Sequence, residues 1–471
     1  MLHRVAPLDP ADVDAAYRVS SARSLGWRSP KGYTAEMHPI SQYSRIPPYS
    51  PVLPYLLLVL LLGLPTGAAN SQSFVGAAFQ PYIGHWTGTP PQTPTFNSYT
   101  DSDISSMLGV MHPHFDKITS YSAGYASYYL PTHPYDKVDS NWRVAGVMAD
   151  LNVAIAAAGE HAMVLAQGIS QQVDSGSILN AGGTAANALM AAEIEGARMV
   201  ADDANAVFPG TVTRLVFTNE YVTDAITTSA VDLLISNFRT AHPSSTLSLG
   251  VRSQTYGQLN NPASPYLTEL QALVMNCDFI MLNLYPSEAI VALSSPTVSG
   301  MQGAVNEIAT QYTNIKTAAL ALNSGLDVLI GETGWPTEGI SFNDPGATKS
   351  TPAYAYAYFE AFQAWATNHS VESYVFDGID EPWKSDENQV GGNPWTGPNG
   401  AEGHFGIWKL AVGALPGGIT PGDLDYKYVP EPSSTLLFAS SILCLLGLAR
   451  RRVSRAQSAP PSSPPTYGRV P

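Results

Sequence analysis

The chain has 471 residues, 45% of them hydrophobic, with 23 Lys and Arg against 38 Asp and Glu and a formal net charge of −15. That length accommodates one large domain or two to three ordinary ones, with enough apolar material for a sizeable core. Between residues 51 and 449 there are 12 basic and 34 acidic residues, a balance that argues against nucleic acid or anionic lipid as partner and favours neutral, polyhydroxylated ones.

In chain order, an apolar run PVLPYLLLVLLLGLPTGAA at 51–69 follows Arg45 and ends in small residues. It has the form of a secretory signal peptide cut around residues 68–71, which implies signal peptidase as a partner and an exported protein. A start at Met37 gives a leader of ordinary length; a retained signal anchor is the competing reading. Residues 1–70 are therefore set aside as leader.

SFVGAAFQPYIGHW (73–86) reads as a first strand running into a polar aromatic loop, followed by a Pro- and Thr-rich turn region to about residue 100. Thereafter helix and strand patterns alternate. Helices are expected at 101–111, 143–159, 181–204, 229–241, 264–276, 301–323 and 351–368, and strands at 114–124, 161–169, 213–220, 245–255, 277–288, 326–332 and 371–381. Eight strand–helix units without an internal repeat predict a single (β/α)8 TIM barrel over 71–425, of the α/β class. A doubly wound sheet is the alternative, but no glycine-rich first turn accompanies it. No phosphate loop, CxxC knuckle or HExxH pattern is present, so no cofactor or metal is expected. Cys277 and Cys444 lie in apolar runs, and no disulfide is expected between them.

Two predicted strands end on acids, TRLVFTNE at Glu220 and DVLIGE at Glu332. In a barrel, strand C-termini converge on one mouth and carry its reactive groups. Strands four and seven face each other there, which makes Glu220 and Glu332 a candidate carboxylate pair of the kind retaining glycoside cleavage needs. Around them, Asn219 can bond a sugar hydroxyl, Tyr285 can orient a carboxylate, and Trp335, Trp383 and Trp395 offer flat faces to pyranose rings. Glu381 and Glu402 are further hydroxyl-binding candidates. Any one of these tryptophans can equally be a packing residue.

TNE (218–220), NLYP (283–286), IGETGWPT (330–337), FDGIDEPWK (376–384) and EGHFGIW (402–408) together resemble glycoside hydrolase family 17, the β-1,3-glucanase and glucan transglycosylase family, over roughly residues 74–410. The resemblance implies that Glu332 is the nucleophile and Glu220 the acid/base, with Tyr285 beside the nucleophile and with Glu381 and Trp383 in a substrate-contacting loop. Two departures stand out. Thr218 occupies a place where the family more often has glycine, and Lys117 with Tyr121 stands where an arginine is often found in strand two. The implied substrate is β-glucan, by a monomer. Hydrolysis and transglycosylation remain alternatives, and a non-catalytic carbohydrate-binding envelope protein is the rival from another class.

After the barrel, Pro430-Glu431-Pro432, the apolar STLLFASSILCLLGLA (434–449) and Arg450–Arg452 resemble a PEP-CTERM sorting signal over 429–455, with a Pro- and Ser-rich tail at 456–471. That resemblance implies a transmembrane helix, a membrane-associated precursor at the cell envelope and an exosortase-like processing enzyme.

Overall fold

In the computed structural model the described residues are 74–87, 93–124, 141–385, 394–411 and 417–428, with backbone only over 82–87 and 93–98. Eight parallel strands close a barrel, each hydrogen-bonded to its neighbours in chain order. They are β1 (Val75–Ala78), β2 (Lys117–Thr119), β3 (Val164–Ile169), β4 (Val212–Asn219), β5 (Ser248–Ser253), β6 (Phe279–Asn283), β7 (Asp327–Thr333) and β8 (Ser373–Val375). Closure pairs Val75 with Ser373 on one side of β1 and Ala77 with Ile118 on the other. The helices between strands are α1 (Asp101–Met111), α2 (Val144–Ala157), α3 (Ala188–Val207), α4 (Ala225–Ala241), α5 (Leu267–Asn276), α6 (Gln302–Leu322) and α7 (Pro352–His369).

Local chemistry sets these boundaries. Thr100 and Asp103 form a capping box at the start of α1, satisfying helix N–H groups that have no intrahelical partner. Asp103 also accepts the backbone N–H groups of Gly417 and Ile419, at 2.6 and 2.9 Å, which docks the C-terminal segment on this helix. Thr351 caps α7, Pro352 occupies its first turn, and left-handed Ser370 ends it.

The core has two layers. Ala166, Val216, Phe279, Met281, Leu329 and Tyr374 fill the barrel interior. The alternate residues of the same strands, such as Leu165, Phe217, Val251, Ile280 and Ile330, face the helices. At the N-terminal end of the barrel, Arg214 donates to Glu372 at 2.5 Å, lies over the Phe279 ring at 5.5 Å, and Tyr374 donates to the same carboxylate at 2.9 Å.

Several expectations are corrected. The long first strand is broken: β1 stops at Ala78, Pro81 brings no backbone donor, and Tyr82–Thr87 pairs antiparallel with Thr93–Ser98 as a hairpin rather than a loop and turn region. The helix expected from 181 begins at Ala188, because Gly183 takes a left-handed turn and Asn187 caps Met190. β6 ends at Asn283, short of the expected 288, and a short helix, Glu288–Leu293, follows it. The leader and the Pro-Glu-Pro tail lie outside the described residues. Among the described residues no helix is long and apolar enough to cross a membrane, and on that finding the expected transmembrane helix and membrane-associated precursor are withdrawn.

Candidate active site

The C-terminal ends of β4 and β7 both carry a β-bulge, and the bulges determine which way their acidic ends point. Along β7, Leu329 faces the barrel interior and Ile330 the helices. Strict alternation would send Glu332 outward with Ile330. The register with β6 shifts between Leu282↔Ile330 and Asn283↔Glu332, so Gly331 is the extra residue and Glu332 turns to the barrel mouth beside Asn283. Glycine is required there: a Cβ on Gly331 would lie 2.6 Å from Met281 Cβ and 3.0 Å from Arg252 Cγ.

The register of β4 with β5 shifts in the same way between Phe217↔Val251 and Asn219↔Arg252. Here the inserted residue is Thr218, at φ +61°, and Glu220 follows at φ +54°. A β-branched residue in the left-handed region is strained, and such strain concentrates at functional sites. Buried Thr218 also has no hydrogen-bond partner for its hydroxyl among the described residues. Thr218 thus holds this backbone shape at a cost.

Glu332 is 6% exposed. The Tyr285 hydroxyl donates to its Oε2 at 3.2 Å, and the Arg252 guanidinium lies 3.7 Å from Oε1. Burial first, and then the charge of Glu220, push the Glu332 carboxyl from 4.5 up to about 7, against the pull of Arg252, the Tyr121 hydroxyl and Lys384. Arg252 is itself fully buried, donates to Thr119 Oγ1 at 2.6 Å and Ser120 O at 2.8 Å, and lies over the Tyr121 ring at 4.3 Å. A buried guanidinium with this geometry is a fixed positive charge aimed at one carboxylate. Lys117, the basic residue noted in strand two, lies instead beside Asp116 at 3.8 Å. The arginine facing the carboxylate comes from β5. Sequence reasoning missed it, although an arginine inside the apolar strand SLGVRS is the signal that a buried partner must exist.

Glu220 is exposed in the same groove. Its N–H donates to Arg252 O at 3.0 Å, and the side-chain amide of Asn283 donates to its Oε1 at 2.9 Å and to Asn219 Oδ1 at 3.3 Å. Gln171 Oε1 accepts the Asn219 N–H at 3.2 Å.

The groove encloses about 800 Å³, a volume suited to an oligosaccharide segment. Glu220, Glu332, Asn219, Tyr285 and Glu402 line it, with Lys384 among them. Burial raises the Glu402 carboxyl, and nearby Lys384 opposes the rise. Glu381 is buried in an ion pair with Lys384 and holds that ammonium over the Phe376 ring at 4.7 Å. Trp383 stands on the one-turn helix Pro382–Ser385, its ring 5.5 Å from the same ammonium.

Trp335 is placed elsewhere. It is 2% exposed, donates from its indole N–H to Lys349 O at 2.9 Å, and packs against Tyr354 and Tyr358. The aromatic residues on the groove are Tyr121, Tyr285, Phe376, Trp395, Phe405 and Phe342, the last 41% exposed and edge-on to Tyr285 at 5.4 Å.

Two glutamates at opposite strand ends, one buried among cationic and hydroxyl donors and one open to solvent, form an arrangement in which one group can attack while the other transfers a proton.

No protein-family model matches the chain. Among curated proteins, a glucan 1,3-beta-glucosidase of Candida albicans is 29% identical over 89 residues, which is 18% of this chain and 25% of that protein. A glucan 1,3-beta-glucosidase of Arthroderma benhamiae is 36% identical over 85 residues, 17% and 24% of the two chains. The similarity thus spans about a quarter of the length of these relatives. Among solved structures, an endo-laminarinase from Formosa superposes with a TM-score of 0.53 at 14% identity, covering 71% of this chain and 83% of that one. The chain therefore shares its closed (β/α)8 barrel with that structure.

Proposed function

We propose that the protein is a retaining glycoside hydrolase acting on β-1,3-linked glucan. The observation that carries this reading is the unequal environment of the two strand-end glutamates. Arg252 and Tyr285 address the Glu332 carboxylate, as a nucleophile that must react as an anion requires. Glu220 is held by one amide and open to the groove, as a proton carrier requires. The names of the similar curated proteins support the choice of linkage.

In the first step a Glu332 oxygen bonds to the anomeric carbon while the glycosidic C–O bond breaks. The electron pair leaves on the departing sugar oxygen, which takes the proton of Glu220. In the second step Glu220 takes a proton from an acceptor O–H, the acceptor oxygen bonds to the anomeric carbon, and the ester to Glu332 breaks. With water as acceptor the product is a shorter glucan. A sugar hydroxyl as acceptor gives a longer or branched one.

The test is product analysis on β-1,3, β-1,4, mixed-linkage and β-1,6 glucans, with Glu332→Ala beside the wild type. Cleavage of β-1,3-glucan with retained anomeric configuration, lost in the variant, is expected. Full activity of Glu332→Ala removes the nucleophile assignment. Binding of glucan without turnover by the wild type favours a carbohydrate-binding protein instead.

A further inference from the structure

We propose that Asn283 is the positioning residue of the acid/base: its amide holds Glu220 by Oε1 and leaves Oε2 as the oxygen that gives and takes the proton. This rests on the reading of Glu220 as acid/base.

Asn283 ends β6 and is 5% exposed, so its side chain has little freedom. Its Nδ2 sits 2.9 Å from Glu220 Oε1 and 3.3 Å from Asn219 Oδ1, while its own Oδ1 meets no donor among the described residues. Turned over, the amide would set its oxygen against these two acceptor oxygens. The neighbours therefore fix which end of the amide faces the glutamate.

An oxygen that accepts this N–H cannot direct its own proton along the same line without setting donor against donor. When Glu220 is protonated, Oε1 is the carbonyl oxygen and Oε2 carries the hydrogen. After that proton has gone to the leaving oxygen, the bond from Asn283 remains, so donating and accepting forms share one geometry. Apart from this bond, Glu220 is held at its backbone, by Arg252 O. An exposed glutamate without Asn283 is free to change rotamer and leave the line of the scissile bond.

The experiment compares kcat/KM on two substrates, laminaritetraose and the 2,4-dinitrophenyl β-glycoside of laminaribiose, for Asn283→Ala, Asn283→Asp and Glu220→Ala. Dinitrophenolate departs without a proton, so a defect confined to proton delivery shows on laminaritetraose alone. Both Asn283 variants are expected to lose on the order of 10²-fold on laminaritetraose, and at least tenfold less on the aryl glycoside. Asn283→Asp keeps the side-chain shape, so its result stands even where the alanine variant folds poorly. Equal losses on both substrates, or none on either, overturn the proposal and leave Asn283 a structural residue. A Glu220→Ala variant that still cleaves laminaritetraose at the wild-type rate overturns the acid/base reading itself. A split shown by Glu220→Ala but by neither Asn283 variant overturns this proposal alone.

Discussion

Replacing Glu332 by glutamine should make the protein more resistant to unfolding at alkaline pH than at acid pH, relative to wild type. Burial and Glu220 raise the Glu332 carboxyl from 4.5 to about 7 in the folded state. Between those values the native state holds a proton that the unfolded chain has released, so stability falls as pH rises through this window and levels off above pH 7. A rise of this size, at about 1.36 kcal/mol per pH unit, means that the ionised carboxylate costs the fold about 3 kcal/mol at pH 8 and almost nothing at pH 4. Glutamine has no such dependence. Urea unfolding of wild type and Glu332→Gln at pH 4, 6 and 8 gives the difference in stability at each pH; the steric effect of the substitution and titrations uncoupled from Glu332 drop out of the change in that difference between pH values. That difference should move by about 3 kcal/mol in favour of the variant between pH 4 and pH 8. Parallel stability curves for the two proteins would refute the claim that Glu332 is ionised at a cost.

On the proposed role of Glu332 as nucleophile the carboxyl must be ionised, so kcat/KM on laminaritetraose should rise with pH through about 7. Arg252→Met keeps the apolar stem and removes the charge that pulls the carboxyl down, so the rising limb should move to higher pH; an unmoved limb rejects the electrostatic role of Arg252. Thr218→Gly should stabilise the fold by about 1 kcal/mol in thermal or urea unfolding, because the left-handed strain and the unpartnered hydroxyl disappear while some chain entropy is lost; a loss of stability contradicts the strain argument. Trp335→Ala should destabilise by about 3–5 kcal/mol, while KM for laminaritetraose stays within about twofold, since the ring lies off the groove; a large rise in KM with stability intact would return Trp335 to the substrate.

Features encoded within a few residues were legible in the sequence. The α1 boundaries, Asp101–Met111, follow from a cap and a period that local chemistry alone determines. The acid at each strand end was visible because a charge closing an apolar run requires an explanation. Arg252 shows the limit. It is one residue in a strand, and its meaning depends on Thr119 from β2 and Glu332 from β7, which only closure of the barrel brings together. The bulges at Thr218 and Gly331 were hidden for a similar reason, since a register shift is a relation between two strands. Trp335 was misleading because an aromatic beside an acidic strand end reads the same whether it faces the groove or α7. The hairpin after β1 was read as loop because its threonines and prolines are as common in turns as in short paired strands.

The closure of β1 on β8 also bears on how the protein is made. On one side β1 meets β2 through only Ala77 and Ala78, and its longer pairing is with Ser373–Val375, a strand synthesised about 300 residues later. Until that strand has left the ribosome the first strand keeps one edge open, and the mouth that holds Glu220 and Glu332 has no complete rim. A nascent chain of this protein is therefore committed to a long interval with an unpaired edge exposed, which makes it a natural client for factors that shield unfolded chains.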